Sequence, residues 1–252
     1  EALRTLSNLG TILFKQGKNP EAEVLYAELF AARQRTGGPE LPSTLLAMKH
    51  LVLARGRNGH LDQAITLMQE LVGLSERVLG SRHASTLNHR RNLASMLLTA
   101  RRFAEALAPA ESAFTTSLQE FGADDTATLA DAEVYALTLQ FLDRFADAEP
   151  IWRQLIASRH HADPDDWRVY FARGQLGRSL AQVGRHAEAE PLLRESYEGL
   201  RTRQAALSSS RRRTIHEFAG YLAEVCTALG RPTDAAFWQE KSKPGPSAAA
   251  SK

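Results

Sequence analysis

The sequence predicts an all-α solenoid of about six helix–turn–helix units. Three observations carry that reading. First, an alanine recurs at Ala22, Ala64, Ala106, Ala148, Ala189 and Ala235, at steps of 42, 42, 42, 41 and 46 residues. Second, thirteen residues before each alanine stands a leucine or tyrosine followed by a small or medium residue: Leu9–Gly10, Leu51–Val52, Leu93–Ala94, Tyr135–Ala136, Leu176–Gly177 and Leu222–Ala223. Third, Leu3, Leu45, Leu87 and Leu129 keep the 42-residue step, as do Gly38, Gly80 and Gly122. Self-similarity held on several registers marks a repeat architecture, in which each unit buries its apolar face on its neighbours.

Within a unit, the first helix is read from spacing. In "STLNHRRNLASMLLTA", Leu87, Leu93, Ala94, Leu97 and Leu98 fall on one helical face. A turn follows, carrying Gly17, Gly59, Gly184 or Gly230, with Arg101 and Asp143 in the same place in two units. The second helix opens with Glu or Asp, favourable at the positive end of its dipole. Pro150 and Pro191 lie two residues after the alanine and are expected near the helix start. The small residues let the paired helices approach, with Gly10 facing Ala22 and Ala94 facing Ala106. The units fall at about 1–42, 43–84, 85–126, 127–168, 169–206 and 211–243. Four extra residues before Ala235 are expected to lengthen the second helix of the fifth unit by about one turn.

The ends and the composition set further bounds. The first helix carries Leu3, Leu6, Leu9, Ile12 and Leu13 on more than one face, so an earlier repeat is expected to cover it. The final "KSKPGPSAAASK" is expected to be disordered over 244–252. Thirty-one basic and twenty-nine acidic residues give a formal net charge of +2, which selects no charged partner class. One cysteine, Cys226, excludes an internal disulfide framework and a cysteine-based zinc cluster. No apolar run approaches the ~18–20 residues needed to span a bilayer. We expect no membrane insertion in this segment and a cytoplasmic location.

Few residues point to chemistry. His160, His161, Asp163, Asp165 and Asp166 crowd one linker, but their spacing matches no ligand motif, and they read as a solvated loop. Arg211, Arg212 and Arg213 read as the start of the last hairpin rather than a nucleic-acid patch. No nucleophile–base pattern, phosphate loop or paired acids stand out, so neither an enzyme nor a cofactor is expected.

The turn, the small residue of the first helix and the alanine of the second resemble the tetratricopeptide repeat. The 42-residue period and "VLGSRHASTLNHRRNLASML" (78–97) are similar to its long, kinesin-light-chain-like subtype. The resemblance spans about residues 2–243. It implies a right-handed solenoid whose first helices line a concave face that binds a protein or peptide. Groove positions carried over by register are Arg4, Asn8, Thr11 and Lys15, then Lys49, His50 and Arg57. They continue with Asn88, Arg91, Asn92 and Ser95, then Glu133, Gln140 and Arg178. Asparagine amides at Asn8 and Asn92 suit a peptide backbone. Arg4, Lys15, Lys49, Arg57 and Arg91 suit an acidic segment. Two other roles stay open: the C-terminal scaffold of a bacterial serine/threonine kinase, which "LAEVCTALGRPTDAAFWQEK" resembles, and a self-associating scaffold.

Overall fold

A computed structural model describes residues 1–243; the predicted disordered tail lies outside them. All regular structure among the described residues is helical. The order is α1 (Ala2–Lys15), α2 (Asn19–Gly37), α3 (Pro42–Arg57), α4 (Leu61–Leu79), α5 (Ala84–Thr99), α6 (Phe103–Phe121) and α7 (Thr126–Phe141). It continues with α8 (Phe145–Ala162), α9 (Trp167–Gln182), α10 (His186–Thr202), a 3-10 turn (Gln204–Ala206), α11 (Ser209–Ala228) and α12 (Pro232–Lys241). Two compact units divide the chain within α7, the first ending at Val134 and the second beginning at Tyr135.

Each pair of helices is joined by the same turn. Gly17, Gly59, Arg101, Asp143, Gly184 and Gly230 all have positive φ, between 57° and 82°. The N–H of the next residue reaches back five positions, as Lys18 to Leu13 and Arg102 to Leu97 at 3.0 and 2.9 Å. This is the Schellman closure, which satisfies the last carbonyls of the first helix. The same next residue caps the second helix. The carbonyls of Lys18, His60, Arg102, Arg144, Arg185 and Arg231 accept the N–H groups of Ala22, Ala64, Ala106, Ala148, Ala189 and Ala235 at 3.0–3.2 Å. Arg102, Arg144 and Arg185 also bind the acid three residues on, Glu105, Asp147 and Glu188, at 2.6–2.7 Å.

The small residues pack closely on the second helix, most tightly against the residue one turn beyond the alanine, and a Cβ on Gly177 would also lie 3.2 Å from the Ala189 carbonyl oxygen. A Cβ on Gly10 would lie 2.8 Å from the ring of Tyr26, and one on Gly177 would lie 2.7 Å from Leu193. Both partners sit one turn beyond the alanine, because side chains on adjacent turns share a helix face. In both pairs a glycine of the first helix takes a large side chain of the second: Gly10 with Tyr26 and Gly177 with Leu193. Ala22, Ala64, Ala106, Ala148 and Ala189 are fully buried.

Two expectations are corrected. The extra residues of the fifth unit do not extend α10, which has 17 residues; they form the 3-10 turn and lengthen α11 to 20. Arg203 fixes the end of α10 by donating to the carbonyl and the carboxylate of Asp165 at 2.9 and 2.8 Å. Pro150 and Pro191 lie in the second turn of α8 and α10, five residues after the first residue of each helix, so each removes one rung of the helical ladder.

Neighbouring repeats are also tied by buried polar contacts. In the first unit, the Ser75 hydroxyl on α4 lies 2.9 Å from His89 Nδ1 on α5, and Thr86 donates to the Ser75 carbonyl at 3.3 Å. Burial, aided by the charges of Lys49 and His83, pushes the His89 imidazole down to about 4. An unfolded histidine titrates near 6.5. Between these values the unfolded chain binds the extra proton, so stability falls as pH drops from about 6.5 to about 4, by roughly 3 kcal/mol. Urea midpoints measured across that window should show this slope, and His89→Gln should flatten it. An unchanged slope in the variant would remove His89 as its source.

Candidate binding cavity

The first unit places a cavity of about 470 Å³ among α1, α2 and α3. Thr11, Phe14 and Lys15 come from α1, Tyr26 from α2, and Lys49, His50, Leu53 and Arg57 from α3. Sequence register named Thr11, Lys15, Lys49, His50 and Arg57, and the structure brings these five together. It missed Phe14 and Tyr26. Tyr26 belongs to the second helix, and the presence of Gly10 opposite it is the signal that a large ring fits there.

The walls are aromatic and ordered by contact. The Tyr26 hydroxyl donates to Thr11 Oγ1 at 3.3 Å, while Thr11 donates to the Ser7 carbonyl at 2.8 Å. The Tyr26 and His50 rings lie 5.0 Å apart, and the Arg57 guanidinium sits 4.0 Å above the centre of the Phe14 ring. His50 Nδ1 is buried without a hydrogen-bond partner. Burial, then the charge of Lys49, holds the His50 imidazole below its ordinary range. Among the described residues no acidic side chain lines the cavity.

The remaining register positions fare differently. Arg4 and Asn8 lie exposed on α1, and Ser95 is half-buried on α5. Asn92 donates to the Asn88 side chain at 2.9 Å, so the two amides engage each other. Arg91 is not a spare cation. It donates to the carboxylate of Asp131 on α7 at 2.9 Å, and the Asp131 side chain is fully buried. Register offered Arg91 to an acidic ligand, but the structure gives it Asp131 from across the repeat boundary. Burial raises the Asp131 carboxyl against the lowering effects of Arg91 and Ser117. Glu133 is half-buried on the same helix.

In the second unit, Gln140 departs from a ligand role. It is fully buried and donates to the Gln175 carbonyl and to Ser179 Oγ, both at 2.8 Å. Here the side chain ties α7 to α9 across a repeat boundary. Arg178 is half-buried among Phe141, Phe145 and Tyr221, with its carbon centre 5.5–5.9 Å from each ring.

The other polar clusters are structural. Asp166 caps α9 by accepting from the Arg168 N–H at 2.9 Å, and Asp165 holds Arg203. Arg211 lies 4.2 Å above the Phe171 ring and 5.1 Å above that of Trp167. No group of His, Cys, Asp and Glu among the described residues is arranged to hold a metal.

Six hairpins with one shared turn and a cation-lined cavity define a helical-repeat scaffold. Profiles of the tetratricopeptide repeat match residues 1–72, 50–119 and 136–206, and the chain belongs to that family. Scaffolds of this family typically mediate protein–protein interaction. A search of curated proteins found no match. Among solved structures, the chain is similar to nearly identical kinesin light chain TPR-like repeats from Podosopora anserina. The identity is 22%, the TM-score 0.70, and the match covers 81% of this chain and 97% of the other. It is also similar to BtubC (BKLC) from P. vanneervenii, at 14% identity and a TM-score of 0.67, with 94% and 96% covered. The apo form of RapI matches at 10% identity and a TM-score of 0.62, with 96% and 76% covered. These likenesses concern the fold. No helix among the described residues is long and apolar enough to cross a membrane.

Removing Arg91 should expose its structural role. Arg91→Ala leaves the buried Asp131 carboxyl without its cation, which should cost about 3 kcal/mol and raise the Asp131 pKa further. Chemical denaturation and carboxyl-resolved NMR titration read the two effects. A variant as stable as the parent would show that the pair contributes nothing.

Proposed function

We propose that the chain is a non-catalytic interaction scaffold that binds an acidic peptide segment in the cavity of α1–α3. The observation that carries this reading is the set of cations left unpaired there. Lys15, Lys49 and Arg57 line one cavity, and no carboxylate lies within ion-pair distance of any of them among the described residues. Elsewhere in the unit comparable arginines are matched, Arg55 by Glu23, Arg90 by Glu76 and Arg91 by Asp131. Charge-assisted bonds to a carboxylate are stronger than neutral ones. Phe14, Tyr26 and Leu53 add apolar surface for the rest of the segment.

A second reading is self-association through α1, favoured by the outward exposure of Leu9 (44%) and Ile12 (51%). One titration separates the two. A fluorescein-labelled pool of degenerate nonapeptides rich in Asp and Glu should bind with an affinity that weakens as salt rises. The double variant Lys49→Ala, Arg57→Ala should bind about tenfold more weakly, a loss of about 1.4 kcal/mol. Unchanged affinity in the variant would move the site elsewhere. Assembly that grows with protein concentration and ignores the peptide would favour the second reading.

A further inference from the structure

Resting on the acidic-peptide reading, the α1–α3 cavity carries features that a lone carboxylate leaves unused. Three permanent cations, Lys15, Lys49 and Arg57, converge on one space of about 470 Å³ from two helices. A carboxylate brings one negative charge and two oxygens. A phosphoryl group on a side chain brings about −1.5 to −2 charges at neutral pH and three strong acceptor oxygens.

The fit extends to the geometry of the donors. Arg57 is stacked over Phe14 at 4.0 Å, so its planar fork is held rather than free to rotate. Such a fork matches two oxygens of a phosphate at once. His50 offers a ring nitrogen that is buried and has no hydrogen-bond partner. Phe14, Tyr26 and Leu53 supply apolar surface for the carbon stem that carries the group. Among the described residues no acidic side chain in the lining opposes a dianion.

We propose that this cavity is a reader of a phosphorylated side chain, with Lys15, Lys49 and Arg57 holding the phosphoryl oxygens and Phe14 and Leu53 flanking the stem. The peptide source follows from the cavity's place on the first-helix face, where an extended chain would run. Ligand choice by this scaffold is then switchable by phosphorylation of its partner.

The test compares three degenerate nonapeptide pools that differ only at the centre: serine, glutamate or phosphoserine. Fluorescence polarisation against the full chain should show the phosphoserine pool binding at least ~10-fold more tightly than the glutamate pool, about 1.4 kcal/mol. Inorganic phosphate should displace it. Lys49→Ala and Arg57→Ala should each reduce the phosphoserine preference to less than about threefold, with the helical circular dichroism unchanged. Equal binding of the phosphoserine and glutamate pools would overturn the phosphate assignment and leave acidic-peptide binding standing. Binding of neither pool would overturn both. A phosphoserine preference that survives both substitutions would overturn this site.

Discussion

The fold depends on one backbone conformation repeated six times. A residue with positive φ ends the first helix of each unit, and the Schellman bonds around it aim the chain into the second helix. The residue after it then caps that helix with its carbonyl, and the alanine four residues further on makes the first full helical bond. Because that alanine has no bulk, the second helix can lie directly on the first. Turn, cap and close approach are therefore one constraint. The position tolerates arginine and aspartate at Arg101 and Asp143, where φ is 59° and 57°, so the conformation is imposed by its neighbours rather than by glycine alone.

Stacking between units uses a second set of contacts near the same turns. Glu23, Glu149 and Glu190 occupy equivalent places one residue after the alanine. Glu23 accepts from Asn58 at 2.6 Å and pairs with Arg55 and His60 of the next unit. Glu149 binds Arg185 at 2.7 Å, and Glu190 binds Arg231. Each carboxyl is held below its ordinary range. In Glu149 and Glu190 the arginine bonds dominate; in Glu23 burial opposes the shift, and the bonds from Asn58 and His60 outweigh it. Where the register carries Ile65 or Leu107 instead, the next turn's basic residue has other partners, as Arg102 has in Glu105 and Asp62.

The fold was legible because a linear period reports directly on stacking. The turn residues, the alanine seam and the helix order all follow from positions 42 residues apart. The site was legible only in part. Register says which face a residue occupies, and Thr11, Lys15, Lys49, His50 and Arg57, named from it, all line one cavity. It does not say what the adjoining repeat places opposite that residue. Arg91 meets Asp131 forty residues on, and Gln140 meets the backbone of α9, so both became structural. The Asp131 signal was present: an acid on the inner face of α7 at the register that His89 fills in α5. The fifth unit misled for a related reason. The number of inserted residues was visible, but Arg203 and Asp165, which decide where the helix stops, are joined only in three dimensions.

The cavity exists because the first two repeats depart from the pattern of the others. Gly10 makes room for Tyr26, Gly56 stands at the register of Phe14, and neither Lys49 nor Arg57 receives the acid that Arg91 receives. The claim beneath all of this is that the shared turn, rather than any one side chain, sets the hairpin. Paired substitutions at equivalent turns measure it most directly. Asp143→Gly relieves a left-handed non-glycine residue and should raise stability by about 0.5 kcal/mol or more, whereas Gly184→Ala, whose new Cβ meets no other atom within 4 Å, should lower it by about 1 kcal/mol through backbone strain alone. Opposite signs in urea unfolding would support the account; equal effects, or a destabilised Asp143→Gly, would contradict it.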